Sequence, residues 1–225
     1  MEAYLDREME LESIFKTQGA QSKLKKIQSP DARIFFVRQQ EMLGTGHALM
    51  TTRPFIGKEP FVVAYPDDLH IGKIPLAKQL IDTYERTGCN VLSTVFDPPE
   101  IHRYGTIAIA EDGLHVTKLV EKAPPGTEPS KEASIGRFLY TPEIFPALED
   151  GWNKHDPGKG EYFHTPAVCA LARQGKVVFK RVEGERLDTG KPEGFFRSLL
   201  QYAQTIPELK EVFDRFVEEQ RQTGG

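Results

Sequence analysis

Acidic side chains follow two predicted strands of this chain, where carboxylates could hold a metal ion. Asp67 and Asp68 come directly after the apolar run 61–65, and Asp188 opens an Asp-Thr-Gly turn after the predicted strand 176–182. In open α/β sheets, ligands bind at the carboxyl ends of the strands. A hard cation such as Mg²⁺ takes one or two carboxylates together with phosphate oxygens. The alternatives are a solvated acidic turn at Asp67 and Asp68 and a helix N-cap at Asp188.

A second pair of charged residues ends another predicted strand. Glu121 and Lys122 close the alternating segment 114–121. A carboxylate can fix two neighbouring hydroxyl groups, and an ammonium presents a point charge to a phosphate. The alternative is an exposed ion pair at a strand end. Gly105, which follows Tyr104, would let backbone groups approach a ligand because it has no Cβ.

Two glycines mark a turn between a strand and a helix near residue 44. The apolar run 33–38 is followed by Gln39, then by Gly44 and Gly46, and then by a helical pattern over 46–52 that ends before Pro54. Glycine allows the backbone to come close to a flat ligand at such a turn. The alternative is a tight strand-to-helix turn without a ligand.

The elements that must position these residues alternate along the chain. Apolar runs of strand length are separated by amphipathic helical patterns. The predicted strands are 33–38, 61–65, 91–96, 105–110, 114–121, 134–140 and 176–182. The predicted helices are 2–17, 46–52, 75–87, 142–148, 165–174, 191–204 and 207–221. This alternation predicts an α/β fold with a doubly wound, mainly parallel sheet.

Composition narrows the classes of function. A length of 225 residues with 39% hydrophobic content is enough for a real core. The net charge of −4 gives no general attraction to nucleic acid or to an anionic membrane. No apolar run approaches the ~20 residues that span a bilayer. Cys89 and Cys169 lie within or beside apolar segments, and we expect reduced thiols in a cytoplasmic protein.

The order and spacing of several motifs carry a family resemblance. The motifs are Gln39, Gly44-Thr45-Gly46-His47, Asp67-Asp68, Tyr104-Gly105, Val120-Glu121-Lys122, Ile135-Gly136-Arg137, Gly160-Glu161 and Asp188-Thr189-Gly190. Taken together, they resemble the bacterial UDP-glucose pyrophosphorylases, a family of UTP–glucose-1-phosphate uridylyltransferases. The resemblance runs from Met1 to about Val217.

The resemblance implies a reaction and a set of roles. It implies a nucleotide-diphospho-sugar transferase fold and uridylyl transfer from UTP to glucose-1-phosphate, giving UDP-glucose and pyrophosphate. Asp67 is then a catalytic residue and the principal Mg²⁺ ligand, with Asp188 as the second acidic position. Lys122 is a catalytic residue that meets the phosphates.

The resemblance also assigns the parts of the site that select the ligand. Glu121 and Gly105 are then sugar-binding. Gln39 and Gly44 are nucleotide-binding and contact the uracil edge, since an amide carries both a donor and an acceptor. The expected partners are UTP, glucose-1-phosphate and UDP-glucose, with no nucleic acid and no membrane. A homo-oligomer or a completing polypeptide is a further expectation.

Two departures from the family pattern stand out. The family opens with a strand, a G-x-G-T-R loop, a lysine and a second strand, and G-x-G-T-R occurs nowhere in these 225 residues. The family pattern G-E-I-Q-L-T-D-A reads Gly160-Glu161-Tyr162-Phe163-His164-Thr165-Pro166-Ala167 here. We therefore expect an N-terminally truncated domain, an incomplete nucleotidyltransferase α/β domain over 1–205 with a C-terminal helix over 206–225.

Three functions follow from this pattern. The first is a uridylyltransferase whose turnover is impaired by the missing loop. The second is a non-catalytic module that binds a sugar nucleotide. The third is another sugar-1-phosphate nucleotidyltransferase, because uracil and thymine present similar edges to Gln39.

Overall fold

The computed structural model describes residues 8–27, 32–156, 158 and 160–223. The chain divides into two compact units, residues 1–41 and 42–225. Within the described ranges, no helix is both long and apolar enough to cross a membrane.

The first unit is helical and then irregular. Its helices are α1 (Met9–Thr17) and α2 (Gln21–Lys26), so the helix predicted over 2–17 is present where residues are described. The strand predicted over 33–38 is wrong, because these residues form no strand. A β-strand exists only where a neighbouring strand takes up its N–H and C=O groups. An apolar run therefore does not make a strand by itself.

The second unit alternates strands and helices, as the sequence pattern predicts. Its strands are β1 (Phe61–Ala64), β2 (Asp68–Ile71), β3 (Asn90–Phe96), β4 (Gly105–Ile109), β5 (Val116–Glu121), β6 (Glu132–Tyr140), β7 (Val177–Arg181) and β8 (Glu185–Asp188). Its helices are α3 (Thr45–Ile56), α4 (Leu76–Thr87), α5 (Ile144–Asn153), α6 (Thr165–Ala172), α7 (Pro192–Ala203) and α8 (Pro207–Thr223), with a 3₁₀ turn at Ile101–Arg103.

The main sheet is mixed, and the expectation of a mainly parallel sheet is corrected. Its strand order is β5-β4-β6-β3-β7, with β1 also paired to β6. Among the described strands, only β3 and β7 pair in parallel; β6 is antiparallel to β1, β3 and β4. Parallel neighbours need long crossover connections, whereas β4 and β5 form a hairpin with Gly113 at a φ of 72° in its turn. The α/β class itself is confirmed.

Alternation along the strands sends side chains to two hydrophobic layers. Val91 packs on one face of the sheet with Leu76 and Leu80 of α4. Leu92 packs on the other face in a cluster with residues of α3, α5 and α6. Leu80 is completely buried, and burying a leucine side chain contributes roughly 2–3 kcal/mol. Helix α4 ends at Gly88, whose left-handed φ of 66° is typical of a C-cap glycine.

Helix α3 runs further than predicted. The helix predicted over 46–52 ends before Pro54, whereas α3 continues through this proline to Ile56. Proline removes one N–H and therefore one hydrogen bond to the preceding turn. Because Pro54 stands in the last turn, α3 loses little by including it.

A two-stranded sheet brings distant parts of the sequence together. Strands β2 and β8 are antiparallel, and Asp68 lies opposite Asp188. Neither strand is predicted from the sequence, because each is only four residues long and carries charged side chains. This small sheet places the two acidic turns beside each other.

Candidate active site

A cavity of about 210 Å³ opens beside the small sheet, within the second unit. Four of the predicted site residues line it, namely Asp67, Gly105, Glu121 and Asp188. The lining also includes Asp68, the second carboxylate of the acidic turn, and four residues to which the sequence analysis gave no role in the site: Tyr65, Tyr104, His164 and Arg186. The structure therefore brings the predicted metal-binding and sugar-binding residues to one place.

The two acidic turns are tied together through their backbones. The backbone N–H of Thr189 donates to the carbonyl oxygen of Asp67 at 2.8 Å, and its hydroxyl donates to the same oxygen at 2.9 Å. Gly190 leaves space between the carboxylates, because a Cβ there would stand 3.3 Å from Oδ1 of Asp188 and 3.4 Å from Oδ2 of Asp67. Two carboxylate oxygens thus face one small space that glycine keeps open.

Asp68 has a structural role beside this pair. It is 6% exposed, and it accepts hydrogen bonds from Nε and Nη2 of Arg186 at 2.8 and 3.1 Å. Its Oδ2 also accepts the backbone N–H of Gly136 at 2.7 Å. Burial lowers the pKa of Arg186, but the hydrogen bonds and charge of Asp68 outweigh burial and raise it above its ordinary value. The buried charges are paired, as buried charges must be.

Tyr104 joins this ion pair to Asp188. Nη1 of Arg186 donates to the Tyr104 hydroxyl at 3.1 Å, and that hydroxyl donates to Oδ2 of Asp188 at 3.1 Å. Burial alone would raise the pKa of Asp188. The N–H of Gly190, the charge of Arg186 and the hydroxyl of Tyr104 together outweigh burial, so the pKa of Asp188 lies below its ordinary value. Asp188 is therefore held in its anionic form, as a cation ligand must be.

Glu121 and Gly105 lie directly opposite each other. They are cross-strand partners in the β4–β5 hairpin. A Cβ on Gly105 would stand 3.1 Å from Oε1 of Glu121, so the glycine makes room for the carboxylate. Oε1 also accepts the Thr165 hydroxyl at 2.8 Å. One oxygen of the carboxylate is fixed by the protein, and Oε2 is oriented with it.

Lys122 lies next to this hairpin but does not line the cavity. It is exposed, and its φ of 47° is in the left-handed region. Its backbone N–H donates to the carbonyl oxygen of Tyr104 at 3.1 Å. The left-handed backbone turns the chain away from the strand at this residue.

Gln39 and Gly44 fall in different compact units of the chain. Gly44 has a φ of 94°, and a Cβ on it would stand 2.4 Å from the carbonyl oxygen of Tyr162. The N–H of Tyr162 donates to the carbonyl of Leu43, and that of Gly46 donates to the carbonyl of Tyr162. A close backbone approach within the protein thus explains the glycine at position 44.

His164 and Tyr65 also line the cavity, and neither is predicted as a site residue from the sequence. Burial lowers the pKa of His164 to about 4, so the imidazole is neutral at neutral pH. Burial raises the pKa of Tyr65, which keeps its proton. Tyr65 directly precedes the Pro-Asp-Asp turn, and this adjacency is the one sequence feature that could have pointed to it.

The mixed sheet and its paired acidic turns define the class of this protein as a nucleotidyltransferase, and residues 9–205 match the nucleotidyl transferase family model. The chain is 37% identical to the UTP–glucose-1-phosphate uridylyltransferase of Staphylococcus haemolyticus, over 97% of this chain and 77% of that relative. It is 38% identical to the enzyme of that name from Staphylococcus epidermidis, with the same coverage. The chain belongs to the UTP–glucose-1-phosphate uridylyltransferase family, which confirms the predicted family.

Solved structures share the fold. The UTP-bound UGPase from Acinetobacter baumannii superposes with a TM-score of 0.81 at 24% identity, over 97% of this chain and 78% of that one. A UDP-glucose pyrophosphorylase complexed with UDP-glucose superposes with a TM-score of 0.73 at 30% identity, over 91% of this chain and 76% of that one. The expected nucleotidyltransferase fold is confirmed.

Proposed function

We propose that this chain transfers a uridylyl group from UTP to glucose-1-phosphate, giving UDP-glucose and pyrophosphate. The observation that carries the proposal is the cavity that Asp67, Gly105, Glu121 and Asp188 line together. Family membership supports the choice of reaction. Magnesium as the cofactor, a cytoplasmic location and a homo-oligomer or completing polypeptide are parts of the same proposal.

We assign the metal site to Asp67 and Asp188. Two carboxylates around the space that Gly190 keeps open offer the hard oxygen ligands that Mg²⁺ prefers. When bound, Mg²⁺ supplies positive charge that stabilises the phosphates during transfer. Tyr104 and Arg186 hold Asp188 in place and keep it ionised.

We assign the sugar to Glu121 and Gly105, the phosphates to Lys122, and the base to Gln39 and Gly44. Thr165 orients the carboxylate of Glu121, which can accept hydrogen bonds from the hydroxyl groups of glucose. The Lys122 ammonium has no ion pair in the described part of the chain and is available to a phosphate. These roles depend on positioning and charge, which dominate phosphoryl transfer.

The G-x-G-T-R motif is absent from these 225 residues, and the chain spans about 77% of the length of the relatives it matches. In the proposed mechanism, that loop serves the leaving pyrophosphate. Losing one charge-stabilising group costs about 100- to 1,000-fold in rate at such sites. We therefore propose that residues 1–225 alone bind a sugar nucleotide but turn over poorly. A non-catalytic binding module is the alternative that the intact cavity also supports.

Calorimetric titration with UDP-glucose and with UDP tests the assignment of the sugar. Gln in place of Glu121 can still accept the Thr165 hydroxyl but loses the charge that binds hydroxyl groups. We expect Glu121→Gln to weaken UDP-glucose binding about 10-fold and UDP binding less than about 2-fold.

The control for this titration is Glu111→Gln, on the exposed hairpin turn, which should leave both affinities unchanged. No binding of UDP-glucose by the unaltered chain would contradict the proposed function. If Glu121→Gln weakened the binding of UDP-glucose and UDP equally, Glu121 would not be a contact of the sugar.

A further inference from the structure

A buried histidine faces the cavity from the start of α6. His164 is 6% exposed, and its ring centroid lies 5.0 Å from that of Phe138. Its Nδ1 is 3.2 Å from the hydroxyl of Thr45 and 3.2 Å from that of Tyr65. Its Nε2 makes no hydrogen bond within the described residues, although His164 lines the cavity. A ring nitrogen without a protein partner, on a side chain that lines a cavity, is available to a ligand.

Two hydroxyl groups face the same ring nitrogen. The hydroxyls of Thr45 and Tyr65 each lie 3.2 Å from Nδ1 of His164, and each can donate. A hydroxyl that donates to Nδ1 makes this nitrogen an acceptor. A neutral imidazole that accepts at Nδ1 carries its proton on Nε2. The ring thus presents an N–H donor to the cavity.

We propose that Nε2–H of His164 donates a hydrogen bond to a hydroxyl of the sugar that Glu121 holds. This inference rests on the proposed function and adds a residue that determines specificity for the sugar. Oε1 of Glu121 accepts the hydroxyl of Thr165, the residue next to His164, at 2.8 Å. Carboxylate and imidazole therefore reach the cavity from adjoining positions. A sugar hydroxyl both donates and accepts, so an acceptor and a donor together fix its ring better than either alone.

Two substitutions distinguish the contributions of Nδ1 and Nε2 of His164 to ligand binding. Asn places an amide near Nδ1 and nothing at Nε2, whereas the longer Gln reaches the position of Nε2. We expect His164→Asn to weaken UDP-glucose binding about 10-fold and UDP binding less than about 2-fold. His164→Gln should keep UDP-glucose affinity within about 3-fold of the unaltered chain. Calorimetric titration of both ligands measures this pattern.

The histidine ring can also be observed directly in the unaltered chain. ¹⁵N NMR should show a protonated Nε2 and an unprotonated Nδ1, with an Nε2 resonance that moves on addition of UDP-glucose and not of UDP. A proton on Nδ1, or an Nε2 resonance that UDP moves equally, would overturn the role of His164. So would a folded Asn variant that loses affinity for both ligands alike.

The outcome for the unaltered chain separates the two claims. If it binds UDP-glucose and the His164 results fail, only the role of His164 falls. If it does not bind UDP-glucose at all, the proposed function falls, and this inference with it.

Discussion

A buried ion pair supports the two acidic turns from the wall of the cavity. Asp68 and Arg186 are 7% and 14% exposed in their side chains. Their pairing leaves one nitrogen of the guanidinium for Tyr104, which in turn orients Asp188. Both adjacent carboxylates line the cavity, but Asp68 is bound by Arg186 and by the N–H of Gly136, whereas Asp67 is the proposed metal ligand.

Removal of the Arg186 charge should destabilise the fold strongly. Arg186→Met leaves Asp68 buried without its cation, and we expect the free energy of unfolding to fall by about 3 kcal/mol or more. Arg53, which pairs with Glu149 at 50% and 46% side-chain exposure, is the matched control. Arg53→Met should cost less than about 1 kcal/mol. Urea unfolding of both variants measures the difference. Equal losses in the free energy of unfolding would show that the buried ion pair stabilises the fold no more than the exposed one.

The acidic residues could be predicted from their place after strands, and the resemblance assigns a role to Asp67. The ion pair of Asp68 with Arg186 could not be predicted, because the short strands β2 and β8 bring the two side chains together. His164 could not be predicted either, because a lone histidine gives no information about burial or about the hydroxyl groups that converge on it.

At the scale of elements, the start of α3 is locked to the segment before α6. Gly44 and Gly46 approach Tyr162 so closely that a Cβ on either would lie within 2.7 Å of it. The Tyr162 hydroxyl donates to the carbonyl oxygen of Leu148 in α5. Three helices are thus held around one tyrosine, and α6 carries the Thr165 that orients Glu121.

A side chain at Gly44 should disrupt this contact. Gly44→Ala adds a Cβ 2.4 Å from the Tyr162 carbonyl oxygen at a φ of 94°, and we expect a loss of about 3 kcal/mol or more in the free energy of unfolding. Gly88 is the control, since it has a φ of 66° with nothing within 4 Å of a Cβ. Gly88→Ala should cost only about 1–2 kcal/mol. Similar losses for the two variants would indicate that backbone strain, and not contact with Tyr162, accounts for the effect.

Elements with strong local patterns could be predicted, and those that depend on partners could not. The helix at 75–87 was predictable from its apolar face and its glycine cap, and the β4–β5 hairpin from its Asp-Gly turn. The strand at 33–38 was not, because a strand is completed by its neighbours. Strand direction could not be predicted either, since an alternation of strands and helices does not show that β6 is antiparallel to β1, β3 and β4.

At the scale of the whole molecule, the second unit, residues 42–225, contains Asp67, Gly105, Glu121, Lys122 and Asp188. Gln39, the proposed base contact, belongs to residues 1–41. The division proposed from the sequence, with a domain over 1–205 and a helix over 206–225, stays a prediction. Sugar and metal recognition are thus proposed for one compact unit, and one of the two proposed base contacts belongs to the other.

The central claim is that this chain is a uridylyltransferase whose cavity holds sugar and metal but lacks the groups for the leaving pyrophosphate. Its most direct test is pyrophosphate release from UTP and glucose-1-phosphate with Mg²⁺. The assay compares residues 1–225 with the same chain preceded by a family segment of strand, G-x-G-T-R loop, lysine and second strand. We predict UDP-glucose formation by the extended chain, at least about 100-fold less by residues 1–225, and a similar loss in the extended chain with Asp67→Asn. No UDP-glucose from the extended chain, or equal turnover by the two chains, would contradict the account.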